Sequence, residues 1–423
     1  MDRPRPLVLV AAAKWWPLSA RLASALHRHG CDVRALCPSG HPLTHVSGIR
    51  NVYNYAGIFS LASLRKALNE CKPDVVVPCD DGIVAQLHAL HESDPTLRSL
   101  IERSLGPASS YSVVESRRQF LDIALELGIR IPRTRLVENA QDLVDWHADN
   151  ATAAVLKVSG EAGGHGVRIS HSLADSLKAW RELQSTPGLL TACKRLAVDR
   201  DLLALWLRQH QRVREVTVQE FIPGRPANSM LACWDGELLS MVSVAVVASE
   251  GPTGAATIVR LIQNESMKKA AKLVTSRLKL SGFYGLDFIL QSGTDMPYLI
   301  EMNPRCTQLG HIEFTSEGCL AGVFSDFLRG EPLRLARAPI SGEKIALFPQ
   351  SLTAGEACRR HIDESYLDLP SEEPRLLAEL KLLRSWPHRQ WLARIYHAFK
   401  PLSRVEPVLF EDFRSKTLAI VNG

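Results

Sequence analysis

The fold is decided by one stretch of the chain, which reads Tyr284-Gly285-Leu286-Asp287-Phe288-Ile289-Leu290, then Ser292-Gly293-Thr294-Asp295, then Tyr298-Leu299-Ile300-Glu301-Met302-Asn303-Pro304-Arg305. Two runs rich in aliphatic and aromatic residues flank a turn sequence, and this pattern predicts a β-hairpin. With Thr294 at the centre of the turn, Asp287 is expected directly opposite Glu301. A shift of register by one residue would place these acids on opposite faces, so the prediction depends on the pairing.

The two faces of the predicted hairpin differ in chemistry. Leu286 opposite Met302, and Phe288 opposite Ile300, form an apolar face that suits a hydrophobic core. The other face presents the two acids, and Asn303 follows them at the two-residue period of a strand.

Two directly opposed acids need a compensating charge. Like charges whose Cβ atoms lie roughly 4.5–5.5 Å apart across a hairpin are destabilising. Mg²⁺ (or Mn²⁺) offsets such repulsion because it takes carboxylate and amide oxygens and often bridges to phosphates. Asp287, Glu301 and Asn303 are therefore the candidate metal ligands. The alternative is a surface hairpin whose acids are solvated.

The composition is that of an ordinary soluble globular protein. The 423 residues leave room for two or three domains, and 46% are hydrophobic. The net charge of +5 is small, and no basic run with interleaved aromatics predicts a nucleic-acid partner. The nine cysteines include no Cys-x-x-Cys pair, which favours reduced thiols in a cytoplasmic protein. No apolar run approaches the roughly 18 residues of a membrane span.

The first third of the chain alternates predicted strands and helices. Strands are expected at 7–13, 31–37 and 73–78, and helices at 18–29 and 60–71. This β-α-β alternation predicts a parallel sheet in an α/β domain. The first strand–helix turn, from Ala11 to Pro17, lacks the Gly-x-Gly-x-x-Gly spacing, which disfavours a dinucleotide site.

The later part of the chain mixes longer helices with strand pairs. Helices are expected at 113–127, about 172–212, 267–280, 353–362 and 374–399, the last broken at Pro387. Strands are expected at 153–158, 166–170 and 215–222, with a two-strand meander at 229–247 turning at Asp235-Gly236.

A lysine and a glycine-rich loop form the first candidate phosphate site. Lys157 lies near the end of a predicted strand, and the loop reads Gly160-Glu161-Ala162-Gly163-Gly164-His165-Gly166. Glycines let backbone N–H groups wrap phosphate oxygens, and the lysine supplies a point charge. The spacing is not that of a Walker-type loop. The alternative is a glycine hairpin with a surface lysine.

A second candidate nucleotide contact is Val218-Gln219-Glu220-Phe221-Ile222-Pro223-Gly224. Exposed backbone groups of this strand could pair with an adenine edge while Phe221 or Ile222 packs on the ring. An ordinary edge strand is the alternative interpretation.

In their order and spacing, Lys157 with its glycine loop, Gln219–Gly224, Asp287 and the Glu301–Arg305 motif resemble the ATP-grasp superfamily. The resemblance is closest to the branch that holds biotin carboxylase and the carbamoyl-phosphate synthetase large subunit, and it covers roughly residues 5 to 325.

The resemblance implies an α/β fold with three parts. These are a Rossmann-like N-terminal domain at 1–112, an ATP-grasp domain at 113–330 and a small, partly helical C-terminal extension at 331–423. The lid would span about 135–222 and the α+β palm about 223–330.

The resemblance also implies roles for individual residues. Asp287, Glu301 and Asn303 would bind two Mg²⁺ ions with ATP, and Arg305 would stabilise an acyl phosphate and a tetrahedral intermediate. Lys157 would touch the α- and β-phosphates. The nucleotide-binding set is Arg117, Lys157, Gly163, Gly164, His165, Gly166, Gln219, Glu220, Phe221, Ile222 and Asn228, with Glu220 and Ile222 meeting adenine through their backbone. An exposed helix cation is the alternative for Arg117.

One departure from the family pattern concerns ribose. Many relatives carry a glutamate two residues after the hinge glycine, whereas this chain has Pro226 there. Asn228 is the candidate substitute.

Four further features have two interpretations each. Arg260 could hold a substrate carboxylate or the γ-phosphate, or be a surface charge. Cys306 is better explained as a small filler beside the site than as a nucleophile. His311 and Glu313 could line an acceptor pocket, or His311 could be a satisfied loop residue. The basic amphipathic stretch 376–399 could lie on a membrane surface, but docking on its own protein or on a partner subunit, as in a homodimer, is favoured.

The resulting prediction is a ligase that activates a small-molecule carboxylic acid as an acyl phosphate and joins it to an amine or similar nucleophile, releasing ADP and phosphate. A small-molecule kinase with the same metal site, or a non-catalytic ATP-binding regulatory module, are the alternatives. The identities of the acid and the amine are beyond the sequence.

Overall fold

The computed structural model describes residues 5–150, 153–158, 166–184, 215–251, 253–312, 319–332, 344–354, 358–381 and 408–410. Its helices and strands confirm the predicted α/β class, with a parallel N-terminal sheet followed by antiparallel sheets.

The N-terminal part is a four-stranded parallel sheet flanked by helices. Its strands are β1 (Leu7–Ala11), β2 (Asp32–Cys37), β3 (Val52–Asn54) and β4 (Val75–Pro78), in the order β3-β2-β1-β4. Its helices are α1 (Pro17–Arg28), α2 (Ser60–Cys71), α3 (Asp81–Ser93) and α4 (Arg98–Leu105). Asp80 caps α3 by accepting a hydrogen bond from the Ile83 amide at 3.0 Å, so the chain turns sharply at the carboxyl end of β4.

Two helices and a small antiparallel sheet follow. The helices are α5 (Tyr111–Glu115) and α6 (Arg117–Glu126). The strands are β5 (Thr134–Leu136), β6 (Ala154–Val158), β7 (Val167–Ser170) and β8 (Val216–Glu220), in the order β5-β8-β6-β7, with α7 (Ala140–Asp149) and α8 (Leu173–Gln184) packed on them.

The largest element is a sheet of eight strands. They are β9 (Gly224–Trp234), β10 (Glu237–Ser249), β11 (Ala256–Leu261), β12 (Gly282–Gln291), β13 (Pro297–Asn303), β14 (Lys344–Ala346), β15 (Tyr366–Leu367) and β16 (Val408–Leu409). The order is β13-β12-β9-β10-β11-β14-β15, and β16 pairs with β10. The remaining α-helices within the described residues are α9 (Glu265–Leu278), α10 (Leu320–Arg329), α11 (Arg359–Asp363) and α12 (Pro374–Lys381).

The two faces of the eight-stranded sheet contribute to different cores. Met230 and Val244 pack in one core with residues of α1, α10 and the parallel sheet. Leu231 and Ala245 pack in the other core with residues of α6 and α9. The alternation of strand side chains therefore decides whether a residue faces the parallel sheet or faces α6 and α9.

Several predicted helices differ from the observed ones. The helix expected at 113–127 is broken at Ser116, because the Ser116 hydroxyl accepts a hydrogen bond from the Gln119 amide at 3.3 Å and starts a new helix. The long helix expected at about 172–212 is described only as far as Gln184. The domain boundaries at 112 and 330 remain predictions.

The C-terminal segment docks on the N-terminal part. Leu376 and Leu380 of α12 are fully buried in the core that contains α1, which fits docking of this stripe on its own protein. Residues 382–399 of the stripe lie outside the described residues. Within the described ranges, no helix has the length and apolar character needed to cross a bilayer.

Candidate active site

The opposed acids are where the sequence predicts them. Asp287 of β12 pairs with Glu301 of β13, and Leu286 pairs with Met302 on the other face. Asn303 lies two residues further along the same face as Glu301. The hairpin therefore presents two carboxylates and one amide toward the parallel sheet, with apolar side chains behind them.

Beyond the acids, the register of the hairpin shifts by one residue. Phe288 pairs with Leu299, so the expected pairing of Phe288 with Ile300 is wrong. A β-bulge after Asp287 places an extra residue in β13 at this point. The bulge lies on the turn side of the acids. Continued without it, the register of the Phe288–Leu299 pair would place Ile300 opposite Asp287, so the bulge is what brings Glu301 opposite Asp287.

Two side-chain amides hold Asp287. Asn303 Nδ2 donates to Asp287 Oδ2 at 2.9 Å, and Asn228 Nδ2 of the neighbouring strand β9 donates to Asp287 Oδ1. Burial raises the pKa of Asp287, the charge on Glu301 raises it further, and the two amide donors partly oppose this rise. The surroundings of Asp287 therefore favour a proton or a cation on its carboxylate.

Glu301 is paired with a cation from another part of the chain. Arg117 Nη2 lies 2.8 Å from Glu301 Oε1, and Arg117 Nη1 donates to the Val158 carbonyl at 3.4 Å. The Arg117 side chain is only 9% exposed, so it is not the solvent-exposed helix cation of the alternative interpretation. It connects the acid hairpin to the end of β6, which carries Lys157.

Lys157 is a second buried cation at the same place. It is 6% exposed and lies one residue before the end of β6. Burial lowers the pKa of Lys157 to about 8, with a further lowering by Arg117, while Glu301 and Asp287 raise it. Two buried cations facing two acids form an electrostatic environment in which a polyanion with bound metal ions can be held.

The residues present fit a divalent cation. Asp287, Glu301 and Asn303 supply carboxylate and amide oxygens, which are ligands of magnesium. Asn228 Oδ1 is buried and accepts no hydrogen bond from the described residues, so the amide that holds Asp287 also carries an oxygen without a donor. No group of three His, Cys, Asp or Glu residues in the described ranges could hold a metal unaided. Amide oxygens, water or the oxygens of a bound ligand would have to complete the coordination.

Arg305 follows β13 and contacts the N-terminal part of the chain. Its Nε lies 3.0 Å from Asp81 Oδ1, at the start of α3. Burial lowers the pKa of Arg305, but Asp81, Asp80 and Asp287 together raise it above its ordinary value. The guanidinium therefore stays charged between the acid hairpin and the carboxyl end of β4.

The two aspartates after β4 are functional candidates that the sequence analysis missed. Asp80 accepts hydrogen bonds from the amides of Ala13 at 2.6 Å and Lys14 at 3.2 Å, which fixes the loop after β1. Asp81 is 49% exposed and faces Arg305. Their position directly after a predicted parallel strand was the available signal, because ligands bind at the carboxyl ends of such strands.

The interpretation of the hinge segment as an edge strand needs a correction, whereas its predicted adenine contacts remain a prediction. Strand β8 is an interior strand between β5 and β6, so the edge-strand interpretation is wrong. The Glu220 amide donates to the Arg133 carbonyl at 2.9 Å, and the Phe221 amide donates to the Ala153 carbonyl at 3.1 Å. These two N–H groups are therefore used within the sheet.

The side chains of the hinge segment are also placed. Gln219 is buried and donates through Nε2 to Thr134 Oγ1 at 3.1 Å. The Glu220 carboxylate pairs with Arg133 at 3.2 Å. The Ile222 side chain is buried, with 8% of its surface exposed.

Two further candidates lie elsewhere than expected. Asn228 contacts Asp287 and so lies in the acid cluster, which differs from its expected place at the ribose. Arg260 pairs with Ala245 of β10, in a row whose side chains pack toward α6 and α9. The register thus places Arg260 on the face opposite to Asp287, and the structure does not bring these two side chains together.

The remaining candidates are partly described. Gly163, Gly164, His165 and Glu313 lie outside the described residues. Gly166 accepts a hydrogen bond through its carbonyl from the Val158 amide at 3.0 Å, so it closes the β6–β7 turn.

Cys306 is 4% exposed and burial raises its pKa to about 12, which suits the predicted packing role and not a nucleophile. His311 is buried and paired with Asp368 at 2.9 Å, which fits the interpretation of a satisfied loop histidine.

Comparisons with known proteins agree with this geometry. A family model described as an ATP-grasp domain matches residues 202–308. The chain is 24% identical over 323 residues to a formate-dependent phosphoribosylglycinamide formyltransferase of Synechococcus sp. (strain CC9311), a match that covers 74% of this chain and 73% of that relative.

Solved structures show the same fold. An N5-carboxyaminoimidazole synthetase from Staphylococcus aureus, complexed with ADP, superimposes with a TM-score of 0.56 at 13% identity, covering 80% of this chain and 82% of that one. The biotin carboxylase domain of Hydrogenobacter thermophilus 2-oxoglutarate carboxylase, with MgADP and bicarbonate, gives a TM-score of 0.56 at 12% identity, covering 79% and 72%.

Proposed function

We propose that the chain is a ligase of the ATP-grasp superfamily, which activates a carboxylic acid with ATP and joins it to an amine or similar nucleophile. The observation that carries this proposal is the pairing of Asp287 with Glu301 beside the buried cations Arg117 and Lys157. Such a cluster suits a triphosphate with its metal ions, because positive groups meet the phosphates and oxygen ligands meet the metal.

The nucleotide would lie between β6 and the acid hairpin. Lys157 and Arg117 would bind phosphate oxygens, and Arg117 would exchange Glu301 for phosphate as it does so. The adenine would lie beside Ile222, at the chain turn between the small antiparallel sheet and the eight-stranded sheet.

The metal ligands would be Asp287, Glu301 and Asn303. When bound, magnesium would neutralise the phosphates and polarise the terminal phosphoryl group. Asn303 and Asn228 hold the Asp287 carboxylate by hydrogen bonds to both of its oxygens, so these amides orient it toward the cluster.

The reaction would proceed in two displacements. A carboxylate oxygen of the acid attacks the γ-phosphorus, and the bond between this phosphorus and the β–γ bridging oxygen breaks. The products of this step are an acyl phosphate and ADP. The nitrogen of the nucleophile then attacks the acyl carbon, the carbon–oxygen bond to phosphate breaks, and the nitrogen loses a proton. Arg305 would stabilise the negative charge that develops on the acyl group, because its guanidinium is held charged by Asp81.

Product analysis of the full chain tests this proposal. MgATP is incubated with a panel of acids, beginning with formate and bicarbonate, with and without a panel of amines, and ADP, AMP and phosphate are quantified. We expect ADP and phosphate, with AMP absent, and ADP release that depends on one acid. Asp287→Asn should reduce this rate by about 100-fold or more.

A matched control is available on the same hairpin. Asp295 lies in its turn, is 58% exposed and pairs with Arg225, so Asp295→Asn should leave the rate unchanged. AMP as the product would overturn the mechanism. Acid-independent ATP turnover that survives Asp287→Asn would favour a regulatory module, and a stable phosphorylated product formed without an amine would identify a kinase.

A further inference from the structure

A buried three-way contact joins the loop after Arg305 to two distant parts of the chain. We call residues 304–312 the site loop, because it begins directly after β13 and contains Arg305. Near its end, His311 Nε2 lies 2.9 Å from Asp368 Oδ2. The two side chains are 3% and 5% exposed, so water does not replace this contact.

The same aspartate is held by a cation of helix α1. Arg21 Nη2 lies 2.7 Å from Asp368 Oδ1, and Arg21 Nη1 donates to the Asp368 backbone carbonyl at 2.8 Å. Asp368 thus uses both carboxylate oxygens, one for α1 and one for the site loop. Burial alone would raise the pKa of Asp368. The interactions with His311 and Arg21 outweigh the effect of burial, so the pKa of Asp368 is lowered.

Asp368 belongs to a segment that is itself anchored. It follows β15 directly, and its amide donates to the Ala346 carbonyl at 3.2 Å. Five residues later, Glu373 accepts hydrogen bonds from Ser24 Oγ and from the Ser47 amide, both at 3.0 Å. The C-terminal segment therefore has a fixed position against the parallel sheet from which to hold the site loop.

From this geometry we propose that Asp368 is a positioning residue, which holds the site loop through His311 and thereby sets the place of Arg305 in the reaction. The role of Arg305 in this inference rests on the proposed ligase function. A carboxylate buried between two cationic or polar partners has one orientation, because any rotation leaves a buried donor unpaired. The C-terminal segment would thus act on catalysis without touching a substrate.

Replacing His311 tests the inference with least risk to folding. His311→Leu removes the link to the site loop and leaves the Arg21–Asp368 pair in place, whereas His311→Gln keeps an N–H donor for Asp368. Hydrogen–deuterium exchange of the full chain should show faster exchange at residues 304–312 in the leucine variant, with β12 and β1 unchanged. The glutamine variant should exchange like the wild type. Asp368→Asn should accelerate exchange in the site loop and, because it weakens the Arg21 contact, also in α1.

Kinetics supply a second readout. With formate or bicarbonate as the acid probe, kcat for acid-dependent ADP release should fall by about 10- to 100-fold in His311→Leu, as for other misplaced catalytic groups. MgADP affinity, measured by fluorescence titration, should not change. Glu372→Gln is the matched control, because Glu372 lies on the same segment and pairs with Arg28 of α1 at the surface.

The outcomes separate this inference from the proposed function. Unchanged exchange at 304–312 in His311→Leu, or faster exchange throughout the protein, would overturn the positioning role. So would a selective change in exchange with an unaltered kcat. If the wild type releases no ADP in response to any acid, the proposed function fails, and the link between Asp368 and the site loop is still decided by exchange.

Discussion

Arg117 Nη2 lies 2.8 Å from Glu301 Oε1, and the two residues come from different parts of the fold. Arg117 is the first residue of α6, and Glu301 is in the central part of β13. The other terminal nitrogen of Arg117 reaches the end of β6 at the Val158 carbonyl. One buried guanidinium therefore joins the acid hairpin to the strand that carries Lys157, and a bound phosphate would compete with Glu301 for it.

Replacing Arg117 should weaken nucleotide binding. Arg117→Met removes a charge-assisted hydrogen bond, which contributes about 1.5–3 kcal/mol, so the Kd for MgADP should rise by about 10- to 150-fold. Isothermal titration calorimetry measures this change. Arg118→Met is the control, because Arg118 is the next residue of the same helix, is 46% exposed and forms only a surface pair with Asp122 at 3.9 Å. Equal affinities of the two variants would contradict the assignment of Arg117.

Asp287 should make the metal-free protein less stable as the pH rises. Its pKa is raised in the folded state by burial and by Glu301, so the fold favours the protonated form. The resulting stabilisation is present below the ordinary pKa of about 3.9 and is lost as the pH rises through the raised value. In EDTA, the Tm of the wild type should fall over this window relative to that of Asp287→Asn.

Addition of magnesium with nucleotide should make the wild type more stable than Asp287→Asn. At neutral pH the wild type should gain Tm on addition of MgADP, because the ligand binds the folded state, and Asp287→Asn should gain much less. Differential scanning fluorimetry across pH 4–8 gives both comparisons. An Asp287→Asn protein with the full MgADP shift would exclude Asp287 as a metal ligand.

The hairpin and the faces of its two arms could be predicted from the sequence because their determinants are local. The alternation of the arms fixes the faces. Next to the turn, however, Ile289 pairs with Tyr298, one residue away from the predicted register, and only the bulge after Asp287 brings Glu301 opposite Asp287. The bulge after Asp287 could not be predicted, because the extra residue in β13, Ile300, is an ordinary strand residue and nothing in the sequence marks it as unpaired.

Other features depended on distant partners. The interior position of β8 could not be predicted, because its partner β5 is a three-residue strand, too short to show a period in the sequence. The contact between Arg305 and Asp81 joins residues 224 positions apart, and no local pattern predicts it. The face on which Arg260 lies depends on how β11 pairs with β10, which the strand sequence alone does not determine.

Lys157 should make nucleotide affinity depend on pH in the alkaline range. Burial, with the nearby charge of Arg117, lowers its pKa to about 8, so the lysine loses its proton as the pH rises through this value. Phosphate binding needs the charged form, and the Kd for MgADP should rise by up to about tenfold per pH unit above the pKa. Lys157→Arg should remove this dependence, because arginine stays charged.

A surface lysine provides the comparison for this pH profile. Lys66 is 73% exposed, and Lys66→Arg should show the wild-type dependence. Affinities measured by fluorescence titration between pH 7 and 9.5 decide the matter. A profile for Lys157→Arg that follows the wild type would assign the titration to another group.

Asp81 should matter for turnover and not for nucleotide binding. Its carboxylate holds Arg305 Nε at 3.0 Å, and Asp81→Asn removes the charge that fixes the guanidinium between the parallel sheet and the acid hairpin. We expect kcat for acid-dependent ADP release to fall by about 10- to 100-fold, the cost of a misplaced catalytic group, with MgADP affinity unchanged. Glu92→Gln is the control, since Glu92 is an exposed acid on the same helix α3. A parallel loss of MgADP affinity in Asp81→Asn would show that the effect runs through the nucleotide site, and an unchanged kcat would show that Arg305 does not need this partner.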